Sequence, residues 1–278
     1  MREYLFNTVW RTLWSGTLLI GVPIAVAWLL QRIGGWIRTV GCFKCALGYR
    51  CGQAYWYFVA IGVACHETGH AVGAWITGNR VLEFVPFAPF FPGKKDGPPN
   101  AIGWIRHTCG DGAWGAVSEA IICTGPIWFG SAVILLLTHY LVDAEIHVSF
   151  HEYFEPGELP GLFSYLVVCL RCATLLCFDL VGGALFSGWK LLLWAYLVFC
   201  TASEIGMSGT DLRLARPGLM LVLGITLTLL LLPFIGKWIA IGVAILLPKL
   251  FIVHVLMILA VFINMGFFVL ERFIARIT

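Results

Sequence analysis

Residues 54–78 read AYWYFVAIGVACHETGHAVGAWITG, an apolar run that contains three ionisable side chains, those of His66, Glu67 and His70. A helix of about 20 residues crosses the roughly 30 Å hydrocarbon core of a bilayer, so the run is long enough for a transmembrane helix. Ionisable groups are costly at that depth and mark functional sites by default. The stretch therefore predicts a membrane-embedded helix that carries a polar site.

The whole chain has the composition of a membrane protein. Hydrophobic residues make up 60% of its 278 residues, charged residues only 12%, and the mean hydropathy is +0.89. A typical soluble domain has about 25% charged residues, so the composition excludes a water-soluble fold. The net charge of +3 is small and the basic residues are scattered, so nothing in the charge pattern favours a nucleic-acid partner.

Further apolar runs predict the number of membrane crossings. Six runs are long enough to span: 14–33, 54–78, 112–142, 184–203, 217–235 and 250–270. Two more are ambiguous, since 161–181 carries Arg171 and Asp179, and 238–248 is short and ends at Pro248. We expect an all-α polytopic membrane protein with about six transmembrane helices. It forms a single membrane domain, 1–278, with an N-terminal helix at 14–33, a core at about 54–235 and C-terminal helices within 217–278.

The segment 79–111 has the pattern of a β-hairpin. Its first part, 81–90, is rich in Val, Phe and Pro, and 93–100 is composed of turn-forming residues. An extended apolar pattern resumes at 101–107. Pro86 and Pro89 would confine the first arm to a sheet edge, because proline cannot donate a hydrogen bond. We expect a small membrane-associated β-hairpin here.

The charges of the loops predict the orientation of the chain. Segment 143–160 carries five acidic residues and no Lys or Arg, whereas 79–111 carries four basic residues. The positive-inside rule places the first segment outside and the second in the cytoplasm, so the polar site of 66–70 is expected nearer the cytoplasmic side. Segment 34–53 disagrees, because it holds three basic residues and falls outside in this topology.

The spacing of His66, Glu67 and His70 follows the H-E-x-x-H pattern. Residues four apart on a helix differ by roughly 40° in direction, so both imidazoles can reach one ion. Glu67 lies beside them and can reach a water molecule at that ion. The pattern predicts one bound Zn²⁺, with His66 and His70 as ligands and Glu67 as a general base.

A catalytic zinc site needs a third protein ligand from another part of the chain. The candidates in or next to apolar runs are Glu119, Asp179, Glu204 and Asp211. We favour Asp211 because it follows 206–210, whose two glycines can unwind a helix, and irregular backbone at membrane depth occurs where it lines a cavity. The alternative is that Asp211 caps the helix that begins near Pro217.

The depth of the third ligand constrains the topology. Asp211 must reach the same depth as the histidines, so the chain must cross the membrane an odd number of times between 143 and 205. Segment 161–181 is therefore expected not to span, but to be interfacial or re-entrant, and 184–203 is expected to be the crossing helix.

Two other features of the sequence allow more than one interpretation. Cys123-Thr124-Gly125-Pro126 predicts a kink in the third apolar run, which serves either helix packing or a substrate groove. Cys42, Cys45 and Cys51 share a polar segment. They form a disulfide, remain thiols or contribute to a metal site, although a four-thiolate site lacks a fourth ligand.

Three motifs in this order resemble the site-2 proteases, the intramembrane zinc metalloproteases. His66-Glu67-Thr68-Gly69-His70 matches the family's H-E-x-G-H, Gly125-Pro126 matches its Gly-Pro, and Ser208-Gly209-Thr210-Asp211-Leu212 is similar to its late aspartate motif. The resemblance covers roughly 54–235. The late motif lacks the family's two prolines and its glycine after the aspartate, and Ser203 stands where the family has asparagine.

The resemblance implies hydrolysis of peptide bonds in transmembrane protein substrates within the lipid bilayer. The zinc ligands would be His66, His70 and Asp211, and the general base Glu67. The candidate substrate-binding residues are Thr124, Gly125, Pro126 and Ser203.

Two alternative functions remain open from the sequence. A membrane metallopeptidase similar to the CAAX-processing or heat-shock proteases would use Glu204 as the third ligand. A non-catalytic transporter or metal-binding scaffold would use the same histidines for ion passage.

Overall fold

The computed structural model describes residues 9–40, 59–88, 101–142, 150–155 and 160–277. This part of the chain is mainly helical. Its helices are α1 (Arg11–Val40), α2 (Ala60–Ile76), α3 (Gly112–Leu141), α4 (Leu162–Ser187), α5 (Trp189–Glu204), α6 (Gly209–Leu230) and α7 (Pro233–Ile277). Two strands, β1 (Val81–Val85) and β2 (Trp104–His107), lie between α2 and α3, and Phe150–Glu152 forms a short 3-10 turn.

Four of the described helices are long and apolar enough to cross a membrane. These segments are Thr12–Ile33 in α1, Gly112–Leu141 in α3, Gly209–Leu230 in α6 and Phe234–Val269 in α7. They support the expected helical membrane protein. The predicted number of about six spans is not confirmed, since α2 and α5 have only 17 and 16 residues in the described part of the chain.

Several predicted helix boundaries were wrong in the first two thirds of the chain. Helix α1 continues to Val40, so the expected polar segment 34–53 begins inside a helix. Segment 161–181 is not a separate piece, because α4 runs on to Ser187. The break falls at Gly188, whose φ of 55° is open to glycine at low cost, and α5 starts after it. A hydropathy profile averages over a window of many residues, so it cannot locate a helix break at a single residue.

The C-terminal boundaries also differ from prediction. Helix α6 begins at Gly209 instead of near Pro217, and it ends at Leu230. Segments 238–248 and 250–270 belong to one helix, α7, which continues through Pro248. A proline is tolerated inside an apolar helix where neighbouring groups bond to the carbonyl that lacks an N–H partner. Pro248 therefore does not end α7.

Helix α2 packs on α3 and α5, and α6 also packs on α3. Helices α1 and α7 pack along each other, and α4 packs on α7. The main core includes Tyr165 of α4 and Phe251 of α7, both fully buried, with their rings edge to face. The polar residues of α2 therefore lie where α3, α5 and the first turn of α6 meet.

Glycines bring α2 and α3 into backbone contact. A Cβ atom on Gly69 would lie 2.6 Å from the Cα atom of Pro126, and one on Gly73 would lie 2.8 Å from the Cα atom of Ile122. A Cβ atom on Gly125 would collide with the carbonyl oxygen of Gly69. Any larger residue at these positions would force the two helices apart, so the glycines fix how closely α3 approaches His70.

The predicted hairpin is present as a two-stranded antiparallel sheet. Strand β1 pairs with β2 from Val85 opposite Trp104 to Val81 opposite His107, with an irregularity between Val81 and Glu83. Strand β1 ends immediately before Pro86, which has no N–H to offer a ladder. The connection 89–100 lies outside the described residues.

Candidate metal centre

Three candidate ligands from two distant parts of the chain converge. His66 and His70 project from one turn of α2, and Asp211 comes from the first turn of α6. The Nε2 atoms of the two histidines are 3.0 Å apart. The Asp211 carboxylate oxygens lie 3.8 Å from His66 Nε2 and 3.6 Å from His70 Nε2. One ligand atom from each residue falls within 4.8 Å of the other two.

Backbone carbonyls orient both imidazole rings. His66 Nδ1 lies 2.6 Å from the carbonyl oxygen of Glu204, and His70 Nδ1 lies 2.8 Å from that of Ile122. A carbonyl oxygen only accepts hydrogen bonds, so Nδ1 donates in both contacts. The Nε2 atom of each neutral ring then carries a lone pair directed at the cluster, which is the usual arrangement of metal-binding histidines.

These atoms fit a zinc ion. Two ring nitrogens and a carboxylate face one another in this cluster, and a metal ion bound between them would satisfy all three. Two nitrogens bound to tetrahedral zinc at about 2.0–2.1 Å would be about 3.3 Å apart, close to the observed separation of His66 Nε2 and His70 Nε2. Two imidazoles and one carboxylate also match the ligand set of catalytic zinc, which keeps a fourth position open.

Pro126 explains why the Ile122 carbonyl is available to His70. In an α-helix the carbonyl of residue 122 would accept the N–H of residue 126. Pro126 lies inside α3 and has no N–H, so Ile122 has no partner four residues on. The close contact of α2 with α3 brings this freed carbonyl to His70 Nδ1. The Gly-Pro motif thus both permits the contact and supplies the acceptor.

The break between α5 and α6 provides the contacts that orient the other two residues, His66 and Asp211. Helix α5 ends at Glu204, whose carbonyl is one of the unpaired acceptors of a helix C-terminus and bonds to His66. The N–H that would have reached it, that of Ser208, donates instead to Asp211 Oδ2 at 2.7 Å. Ser208 Oγ accepts the Asp211 N–H at 3.1 Å, which completes a capping box. The third candidate ligand, Asp211, is therefore held by the cap of its own helix.

This capping box corrects the predicted environment of Asp211. The chain is non-helical only as far as Ser208, and Asp211 is the third residue of α6 and not its N-cap. Asp211 takes part in the helix cap and also lies beside the histidines, so the two roles that the sequence left as alternatives occur together. The signal was present in the sequence, because Ser208-Gly209-Thr210-Asp211 has the spacing of a capping box.

Glu67 lies beside the cluster under the hairpin. Its side chain is largely buried and interacts electrostatically with Asp211. A Cβ atom on Gly103, the residue before β2, would lie 2.8 Å from Glu67 Cγ and 2.9 Å from the carbonyl oxygen of Pro86. Glycine at 103 therefore lets the hairpin lie directly against the carboxylate side chain that was predicted to act as base.

The other candidate residues are engaged elsewhere. Thr124 Oγ1 donates to the Ala120 carbonyl of its own helix, and Ser203 Oγ bonds to the Phe199 carbonyl and to Asn264 Oδ1 of α7. Glu204 contributes its carbonyl, while its carboxylate is outside the described metal group. The substrate-binding roles of Thr124, Gly125, Pro126 and Ser203 stay predictions. Cys42, Cys45 and Cys51 lie outside the described residues.

Sequence reasoning missed the groups that orient the ligands, namely the carbonyls of Ile122 and Glu204 and the side chain of Ser208. Backbone groups carry no residue-type signal, although a proline four residues after a carbonyl indicates that the carbonyl is free.

Compared with known proteins, the chain matches no protein-family profile, no curated protein and no solved structure.

Proposed function

We propose that this protein is an intramembrane zinc metalloendopeptidase of the site-2 protease type, which hydrolyses peptide bonds within or near transmembrane segments of other membrane proteins. One observation carries the proposal: the two histidines of α2 and the aspartate of α6 meet as three acceptors, with Glu67 packed beside them. Helix packing alone does not require four such groups in one buried place.

Each residue has a role in this reaction. A bound zinc ion would supply a Lewis acid and lower the pKa of a water molecule. His66, His70 and Asp211 would hold the ion, and the carbonyls of Ile122 and Glu204 keep each imidazole in the tautomer that presents Nε2 to the site. Glu67 accepts a proton from the attacking water and returns it to the amine of the leaving peptide. The hydroxyl of the water adds to the substrate carbonyl carbon, and the C–N bond breaks.

The hairpin is the proposed holder of the substrate. Peptide carbonyls in a transmembrane helix are already hydrogen-bonded, so the helix must unwind before it can be cleaved. Each strand of a two-stranded sheet has one unpaired edge, and an extended peptide can add to such an edge. Because Gly103 touches Glu67, a segment added along 81–90 or 101–107 would lie close to the base.

The charges of the loops support a site on the cytoplasmic side of the bilayer. The hairpin segment 79–111 is basic, whereas 143–160 is acidic. The proposed substrate is accordingly cut in its cytoplasmic half.

Three matched variants test the proposal. In Glu67→Gln we expect zinc to stay at one ion per chain and cleavage of a model transmembrane substrate to fall by at least about 10²-fold, the usual contribution of a general base. In Asp211→Asn we expect zinc to be lost. Glu204→Gln is the control, because it keeps the backbone carbonyl that bonds to His66 and changes a carboxylate outside the metal group.

The same experiment separates the alternatives. Zinc retained in Asp211→Asn and lost in Glu204→Gln would favour the metallopeptidases with a glutamate ligand. Equal cleavage by the wild type and Glu67→Gln would leave the hydrolysis without a base and refute the proposed mechanism.

A further inference from the structure

Trp104, the first residue of β2, carries a buried indole N–H that has no acceptor. The side chain is only 7% exposed, and its Nε1 atom is shielded from solvent. Among the residues that the structure describes, no group accepts a hydrogen bond from this atom. Buried indole N–H groups usually have an acceptor, because an unsatisfied donor inside a protein lowers stability. The unused donor of Trp104 therefore calls for an explanation.

A second buried tryptophan shows the usual arrangement. Trp194 of α5 is 3% exposed, and its Nε1 donates to Thr138 Oγ1 of α3 at 3.0 Å. The two indoles are buried to a similar extent, but that of Trp104 keeps its donor unused. Burial of a tryptophan in this fold is thus compatible with a satisfied N–H group.

Trp104 lies at the end of the hairpin that contacts the proposed base. The last strand pair before Pro86 is Val85 opposite Trp104. A Cβ atom on Gly103, the residue immediately before Trp104, would lie 2.8 Å from Glu67 Cγ. The unused donor therefore belongs to a residue whose neighbour in the chain touches Glu67.

This end of the hairpin is also shielded from water. Val85 is fully buried, and so is Phe87 two residues further along. A hydrogen bond that forms in such surroundings is electrostatically stronger than one in water, and an unsatisfied donor there is correspondingly costly. An acceptor brought in by a bound molecule would remove that cost.

An unwound transmembrane segment brings acceptors of the required kind. The carbonyls of a transmembrane helix accept N–H groups of their own chain, and unwinding removes those donors. Water does not replace them inside the hydrocarbon region, so each freed carbonyl is costly. An N–H group of the protein beside the cleavage position would compensate for one of these losses.

We propose that Trp104 Nε1 donates a hydrogen bond to a backbone carbonyl of the bound substrate, next to the peptide bond that is cleaved. The inference rests on the proposed function, because the acceptor belongs to an unwound membrane peptide held against the hairpin. The contact recognises the peptide backbone and makes no demand on the side chains of the substrate. Trp104 is then a substrate-binding residue, and its donor is unused because the substrate is its partner.

Trp104→Phe removes the N–H group and keeps an aromatic ring, and Trp194→Phe is its matched control. In Trp104→Phe we expect kcat/KM for a model transmembrane substrate to fall by about tenfold, mainly through KM, because the lost contact serves binding. In Trp194→Phe we expect kcat/KM of the folded protein to stay unchanged. Both variants lose part of a buried ring, but only Trp194→Phe breaks a hydrogen bond of the free protein, so it should lose more stability in denaturant unfolding.

A closer isostere keeps the test valid if phenylalanine at position 104 disturbs folding. The replacement Trp104→benzothienylalanine exchanges the N–H group for sulfur at nearly the same ring size. We expect it to reproduce the rise in KM without loss of stability. A wild-type KM in this variant would show that the N–H group does not contact the substrate.

The indole N–H group also reports on binding directly in the NMR spectrum of isotopically labelled protein. Glu67→Gln protein keeps the substrate intact, and the Trp104 signal is identified by its loss when Trp104→Phe is added. A model transmembrane peptide should move this proton signal downfield, the direction expected for a new hydrogen bond. The signal of Trp194, whose N–H already has a partner, should stay in place.

The outcomes separate this inference from the proposed function. Cleavage by the wild type with an unmoved Trp104 signal and an unchanged KM in the variants would overturn the inference alone, and a buried water molecule would then be the partner of the indole. A wild type that binds the peptide with the expected shift but does not cleave it would contradict the protease and support Trp104 as a residue that binds a peptide backbone. Neither cleavage nor a shift would overturn both.

Discussion

Replacing Pro126 by alanine should weaken zinc binding while stabilising helix α3. Alanine at 126 restores an N–H, which would form the helical hydrogen bond to the Ile122 carbonyl. That carbonyl now accepts from His70 Nδ1 at 2.8 Å. Competition for the acceptor releases the ring of His70 from its orientation, although neither the ligand nor any zinc-facing atom has been changed.

The two effects have opposite signs. Loss of a partner that orients a metal-binding histidine typically costs 10- to 100-fold in affinity, or about 1.4–2.7 kcal/mol. Removing a proline from a helix interior gains up to about 3 kcal/mol of helix stability. We therefore expect zinc affinity to fall by about 10- to 100-fold with no decrease in the free energy of unfolding of the metal-free protein.

Competition with a calibrated chelator measures the affinity, and denaturant unfolding in micelles measures the stability. Pro248→Ala is the control, because Pro248 lies within α7 and outside the metal centre. It should leave zinc affinity unchanged. Wild-type zinc affinity in Pro126→Ala would show that the Ile122 carbonyl does not orient His70, and the explanation of the Gly-Pro motif would be refuted.

Three further substitutions probe the surroundings of the metal centre. Ser208→Ala removes half of the capping box, and we expect it to cost about 1 kcal/mol in chemical denaturation and about tenfold in zinc affinity; unchanged zinc affinity would contradict the role of the cap. Gly103→Ala places a methyl group against Glu67, so cleavage should fall by up to about 10²-fold in a kinetic assay while metal analysis still finds one zinc per chain. Ser203→Ala leaves Asn264 Oδ1 without the serine donor in a buried place, which should lower stability by about 1–3 kcal/mol and leave zinc content as it is. Loss of zinc in this last variant would bring Ser203 into the site.

The local chemistry was readable from sequence because it depends on spacing along one element. His66, Glu67 and His70 lie within about one helical turn, so any helix there brings both imidazoles together with Glu67 beside them. The two arms of the hairpin were likewise predicted from Val- and Phe-rich apolar stretches and the turn residues between them, and the paired strands fall within 81–90 and 101–107. Composition alone was sufficient to predict a membrane protein.

Only the tertiary structure decided how the site is completed. Asp211 was one of four candidate carboxylates, and the packing of α6 against α3 brings it, and not Glu204, to the histidines. The partners of the two rings are backbone carbonyls, freed by a proline in one helix and by the end of another. The residue types do not show which backbone carbonyl remains unpaired or which side chain faces it across a helix contact. Both depend on where the helices end and on how closely their backbones approach.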